Sequence, residues 1–99
     1  MSIERRELRE AARDAATELA QRAEERGEPT EAIEWARRST ALDPLDESSA
    51  RRLIRILGEA GQRGEALAAY ESLRERLDTE FELTPAPETE ALILSLIHI

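Results

Sequence analysis

Cysteine is absent from the chain, and with it any disulfide framework or thiolate metal site. Lysine, asparagine and valine are absent as well, so all 14 basic residues are arginine. Codons for Lys and Asn are rich in A and T, whereas those for Ala and most for Arg are rich in G and C, and a high-GC genome is the simplest cause. Aromatics make up only 3% beside 36% charged residues, the profile of one small helical unit or a piece of one, and 99 residues are too few for two domains. Basic residues are outnumbered 14 to 22 by acidic ones, and the net charge of -8 repels phosphate, which argues against DNA binding by this segment alone. Histidine occurs once, as His98, with no second His, Cys or positioned carboxylate beside it, so it is not read as a catalytic base or a ligand. The opening Met1-Ser2-Ile3-Glu4-Arg5-Arg6 lacks the apolar run of a signal peptide, and a cytoplasmic location is the expectation.

What the chain does contain is an internal repeat. Gly27-Glu28-Pro29-Thr30-Glu31-Ala32-Ile33-Glu34-Trp35-Ala36 lines up with Gly61-Gln62-Arg63-Gly64-Glu65-Ala66-Leu67-Ala68-Ala69-Tyr70 at an offset of 34 residues. That is the tetratricopeptide period, in which each repeat is a pair of antiparallel helices. The expected fold is all-α: a tetratricopeptide-like right-handed stack of helix hairpins, about two repeats plus a C-terminal helix.

Helical periodicity supports this independently. A stripe of Ala12, Ala15, Ala16, Leu19, Ala20 and Ala23 predicts a helix over about 4–26, stopped by Gly27, which can take the left-handed conformation past the last turn. Pro29 and Thr30 open a second helix over about 30–42, with Ala32, Ile33, Ala36 and Leu42 inward and Asp43-Pro44 at its end. Asp46 caps a third that runs through Leu53, Ile54 and Leu57 to Gly61, and Ala66, Leu67, Tyr70, Leu73 and Leu77 mark a fourth over about 63–79. Thr84-Pro85-Ala86-Pro87 breaks the chain, and Glu88-Thr89-Glu90 leads a short last helix with an acidic start that suits the helix dipole. Ala20, Ala32 and Ala66 are the small residues that let paired helices approach closely, with Trp35 and Tyr70 filling the space beside them.

The succession Asp43-Pro44-Leu45-Asp46-Glu47, Arg51-Arg52-Leu53-Ile54, Gly61-Gln62-Arg63-Gly64-Glu65-Ala66-Leu67, Tyr70-Glu71, Leu73-Arg74, Leu77, Pro85-Ala86-Pro87-Glu88-Thr89 and Leu92 resembles the bacterial transcriptional activator domain. This is the tetratricopeptide-like region found beside a DNA-binding domain in actinomycete antibiotic regulatory proteins and related large regulators. The resemblance covers about 30–92. The family usually shows Glu-Leu-Gly-Val ahead of its Pro-x-Pro-Glu-Thr stretch; here Glu80-Phe81-Glu82-Leu83 puts Glu82 at the glycine position, and an altered turn is expected there. The resemblance implies a non-enzymatic protein-interaction module of a transcriptional regulator, in contact with the adjacent DNA-binding domain, a second protomer or the transcription machinery, without direct contact to nucleic acid or membrane. A general tetratricopeptide adaptor, or a sensor segment of a larger ATPase- or cyclase-linked regulator, is the alternative.

No nucleophile motif, P-loop, dinucleotide glycine pattern or paired metal-ligand motif is present in the sequence, and neither an enzyme activity nor a cofactor is expected. Glu24-Glu25 and Glu28-Glu31 read as solvated surface rather than as an acid and base pair. Uneven charge gives the one hint of an interaction face. On the tetratricopeptide pattern Ser48, Arg51 and Arg55 point into the concave groove, opposite Asp14, Thr17, Gln21 and Glu25 of the first helix, and such a groove suits an acidic peptide or a domain edge. Repeats that grip C-terminal carboxylates place Lys and Asn where Thr17 and Gln21 stand, which argues against a carboxylate clamp. The competing expectation for Arg51, Arg52 and Arg55 is ordinary pairing with Asp46, Glu47 and Glu59, worth at most about 1 kcal/mol per exposed pair. The positions assigned to repeat packing are Ala20, Gly27, Ala32, Ala36, Gly61, Ala66 and Tyr70.

The tail stands apart. Ile93-Leu94-Ser95-Leu96-Ile97-His98-Ile99 is uncharged at neutral pH and holds three of the seven Ile residues. Leu-Ser-Leu-Ile-His-Ile is also the translation of the mosaic-end adapter of transposon-based sequencing libraries. The expectation is a module over 1–93, part of a longer stack, with adapter read-through over 94–99.

Overall fold

The computed structural model describes residues 3–97, which form five helices: α1 Ile3–Glu25, α2 Pro29–Leu42, α3 Glu47–Glu59, α4 Arg63–Phe81 and α5 Pro87–Ile97. Among these residues there is no strand. Two glycines set the repeat. Gly27 and Gly61 take φ of 71° and 81°, values that side-chain-bearing residues resist. Each closes its helix in the same way: Glu28 N–H donates to the Ala23 carbonyl (2.9 Å) and Gly27 N–H to Glu24 (3.0 Å), while Gln62 N–H donates to Leu57 (2.8 Å) and Gly61 N–H to Gly58 (3.1 Å). These paired bonds satisfy carbonyls that a helix end leaves bare. The short links that result turn α1 back on α2 and α3 back on α4.

The starts of the helices follow equally local causes. Pro29 is the first residue of α2, where its missing N–H costs nothing. At α3 the Asp46 carboxylate accepts from Ser49 N–H at 3.1 Å, as the sequence predicts. At the end of α4 Glu82 sits at φ 54° and its N–H reaches the Asp78 carbonyl at 3.0 Å. The backbone therefore makes the left-handed turn that glycine favours, with a glutamate in it, at a cost of about 1 kcal/mol.

The hairpins stack in sequence. Helix α2 packs on α3, and α5 packs on both α3 and α4. The result is a slab of 44 × 36 × 17 Å, less than two full helix diameters thick. One core cluster runs through it, with Ala20, Ala32, Ala66, Ile54 and Leu57 completely shielded and Ile93 closing it from α5; Ala50, Leu73 and Leu77 form a second, smaller cluster against Leu45. Gly58 gives α5 its seat, since a Cβ there would lie 2.5 Å from Leu96. Residues 94–97, for which a foreign origin is expected, continue α5 without a break.

Two residues expected inward are exposed. Leu67 is 43% accessible because the buried line of α4 runs Ala66, Tyr70, Leu73, Leu77, and a residue one step from Ala66 is rotated about 100° off that line. Leu42, 36% accessible, aligns along α2 with Trp35 and Arg38 rather than with buried Ala32, Ala36 and Ser39. The alanine stripe of α1 also divides. Ala16, Ala20 and Ala23 are buried, whereas Ala12, Ala15 and Leu19 are exposed.

Candidate protein-interaction surface

Polar side chains line the seam where α1, α2 and α3 meet. Thr17 Oγ1 lies 2.8 Å from Ser39 Oγ, Ser39 donates to Ser49 Oγ (3.1 Å), and Ser49 donates to Asp46 Oδ2 (2.6 Å). Ser39 and Ser49 are buried, so this chain of hydroxyls satisfies groups that would otherwise be costly to remove from water. Arg13 covers its outer end, donating to Asp43 Oδ2 at 2.8 Å and to Asp14 Oδ1 at 2.9 and 3.0 Å. The Asp43-Pro44 pair that ends α2 thus also ties α2 to α1.

Further along α1 and α3, Arg55 makes a two-pronged bond to Glu24, Nη1 to Oε2 at 2.8 Å and Nη2 to Oε1 at 3.0 Å. This bond, more than any other contact, holds the Glu24 carboxyl below its usual value of 4.5. Arg52 stands 3.8 Å from the same carboxylate and, with the Gln21 amide turned so that its oxygen faces the guanidinium, donates to that oxygen at 3.0 Å. Arg51 turns the other way, toward α5. Its Nη1 donates to Thr89 Oγ1 at 3.2 Å, and Glu47 Oε2 accepts from both Thr89 Oγ1 and Ala86 N–H at 2.9 Å. Thr89 is completely buried, so the Pro-Ala-Pro-Glu-Thr segment is fastened to the start of α3 through it.

The groove residues read from the sequence therefore separate into four groups. Asp14, Thr17 and Ser48 line one open cleft of about 240 Å³ together with Arg13, Asp46 and Arg52. Gln21 and Arg55 lie beyond it, engaged with Arg52 and Glu24. Arg51 is directed to the α3–α5 junction, away from α1. Glu25 is exposed to solvent. The Glu24–Arg55 pair was not legible, since nothing in the sequence connects residues 31 apart on different helices.

The chain matches the family model of the bacterial transcriptional activator domain over residues 1–96. It belongs to that family. No curated protein and no solved structure matches it. In this activator domain the family landmarks have physical roles. Tyr70 donates its hydroxyl to Glu90 Oε1 at 2.6 Å, fastening α4 to α5, and the nearby carboxylate pushes the phenol up to about 12. Trp35 is half-buried, with the Arg38 guanidinium 4.8 Å above its ring. Among the described residues no group of three or more His, Cys, Asp or Glu is placed to hold a metal ion, and no helix is long and apolar enough to cross a membrane. His98 lies outside the described residues.

Proposed function

We propose that this activator domain works by protein contact, as a non-enzymatic module of a bacterial transcriptional regulator that engages the regulator's DNA-binding domain, a second protomer or the transcription machinery in the cytoplasm. The family match over residues 1–96 carries the reading. Charge supports it: at a net -8, with Arg51, Arg52 and Arg55 each facing Glu47, Glu24 or Glu59 within 4 Å, the concave face offers little attraction to a phosphate backbone. In this reading Asp14, Thr17 and Ser48 give the concave face its polar contacts, while Arg51 and Arg55 act indirectly by holding α5 and α1 against α3.

The test joins the chain to an unrelated DNA-binding domain upstream of a reporter promoter. Transcription is expected to rise above the level given by that DNA-binding domain alone, and the isolated chain is expected to show no sequence-specific DNA shift at low salt. A specific, salt-sensitive complex with DNA would overturn the reading.

A further inference from the structure

Helices α2 and α4 both pack on α3, and between them a groove of about 410 Å³ stays open. Its floor is Ala50, Leu53 and Leu73, all buried, and its walls belong to α2 and α4, so described helices bound it on three sides. The Arg37–Glu65 ion pair, 2.8 Å long, bridges the two walls. The 34-residue repeat shows how this groove differs from its counterpart. Ala16, Leu19, Trp35 and Leu42, which line the outer side of the first hairpin, correspond to Ala50, Leu53, Ala69 and Arg76 here. The floor is kept, and the wall changes twice. A methyl group stands at Ala69 where the first hairpin has the indole of Trp35, and a guanidinium at Arg76 where it has the aliphatic side chain of Leu42. Arg37 is engaged with Glu65, whereas Arg76 has no hydrogen bond or ion pair among the described residues.

We propose that the α2–α4 groove binds a small aromatic carboxylate, with the ring over Ala69 on the Leu53 floor and the carboxylate paired with Arg76. This goes beyond the protein-contact function and does not rest on it. The volume is that of a small-molecule site, concave and mostly apolar with a few polar groups at its edge. A ring over Ala69 supplies the apolar contact that the repeat loses at this position, and the floor beneath it is already shielded from water. Charge decides the other end. In a chain of net -8 an unpaired guanidinium beside an apolar hollow selects an anion, and its planar fork matches a carboxylate through two parallel bonds. Arg76 stands two turns beyond Ala69, and a helical side chain extends over the turn before it, so a short arm between ring and carboxylate spans both.

Indole-3-propionate is the probe, and 3-methylindole its uncharged counterpart. Titrated into the purified, isotope-labelled chain, the propionate is expected to shift the backbone amide resonances of Thr40, Ala41, Ala69 and Ser72 saturably. The uncharged compound is expected to move the same resonances with an affinity about ten-fold weaker. Arg76→Gln is expected to remove that advantage and to leave 3-methylindole binding unchanged, which a merely structural role for Arg76 would not do. Ala69→Trp, which restores the indole of the first hairpin, is expected to keep the helical circular dichroism and to abolish binding of both. Absence of a saturable shift at millimolar propionate overturns the proposal. So do shifts centred on Leu19 and Trp35, or an Arg76→Gln variant that binds the propionate as tightly as the parent chain. If Ala69→Trp unfolds, Arg76→Gln, at an exposed position, decides alone.

Discussion

The first and second hairpins share a period and a stop signal but not a core. Where α1 buries Ala20 and Ala23, the equivalent positions of α3 are Ile54 and Leu57, both completely shielded. Where α2 has Ala36, α4 has Tyr70 reaching across to α5. The second hairpin is covered by α2 on one side and α5 on the other, and large side chains repay that enclosure; among the described residues the first is covered by α3 alone and is built largely of alanine. Stability is therefore expected to concentrate around α3, as it does in any stack whose units depend on their neighbours.

Truncating the same leucine in each hairpin tests this most sharply. Leu53→Ala, at a position 3% accessible, is expected to cost about 2–5 kcal/mol, whereas Leu19→Ala, at 37%, is expected to cost less than about 1 kcal/mol. Urea denaturation followed by circular dichroism measures both, and equal losses would erase the distinction between the hairpins.

The tyrosine that the first hairpin lacks gives a pH signature. Hydrogen bonding to Glu90, then burial, raises the Tyr70 phenol from 10.0 to about 12. A group whose folded value is raised contributes fully below its unfolded value and loses that contribution as pH climbs through the folded one. Stability is thus expected to fall between pH 10 and about 12, and Tyr70→Phe to flatten that fall while costing about 1.5 kcal/mol near neutrality. Thermal melts across the alkaline range decide it; an identical alkaline fall in the phenylalanine variant would show that the Tyr70–Glu90 bond does not hold α5.

The smallest effect concerns the ends of the hairpins. Gly27 and Gly61 make their left-handed turns without strain, whereas Glu82 makes a similar one with a side chain. Glu82→Gly is expected to raise stability by up to about 1 kcal/mol, and Gly61→Glu to lower it by a similar amount. A loss on Glu82→Gly would mean that the glutamate side chain contributes more than its backbone strain removes.

Most of the helix plan was legible because its causes are local. Gly27, Pro29, Asp46 and Gly61 act within one turn of where they stand, and the structure places helix ends beside each of them. Burial was legible only where periodicity and neighbours agree. Leu42 and Leu67 have the right chemistry for a core, but which side of a helix meets a partner depends on elements elsewhere in the stack. Groove residues suffered most from this. Arg51 is expected either in the groove opposite α1 or paired with a nearby acid; it stands 3.8 Å from Glu47, and the Pro-Ala-Pro-Glu-Thr segment brings Thr89 within 3.2 Å and draws it to α5.

The Arg55–Glu24 bond carries one more consequence. Through it α1 is joined to α3 directly, and α3 also packs against α2, α4 and α5. In a slab of helices only 17 Å thick, α3 is the one element that touches all four others. Whatever leans on the edge at α1 or lifts the edge at α5 loads the same thirteen residues, Glu47–Glu59.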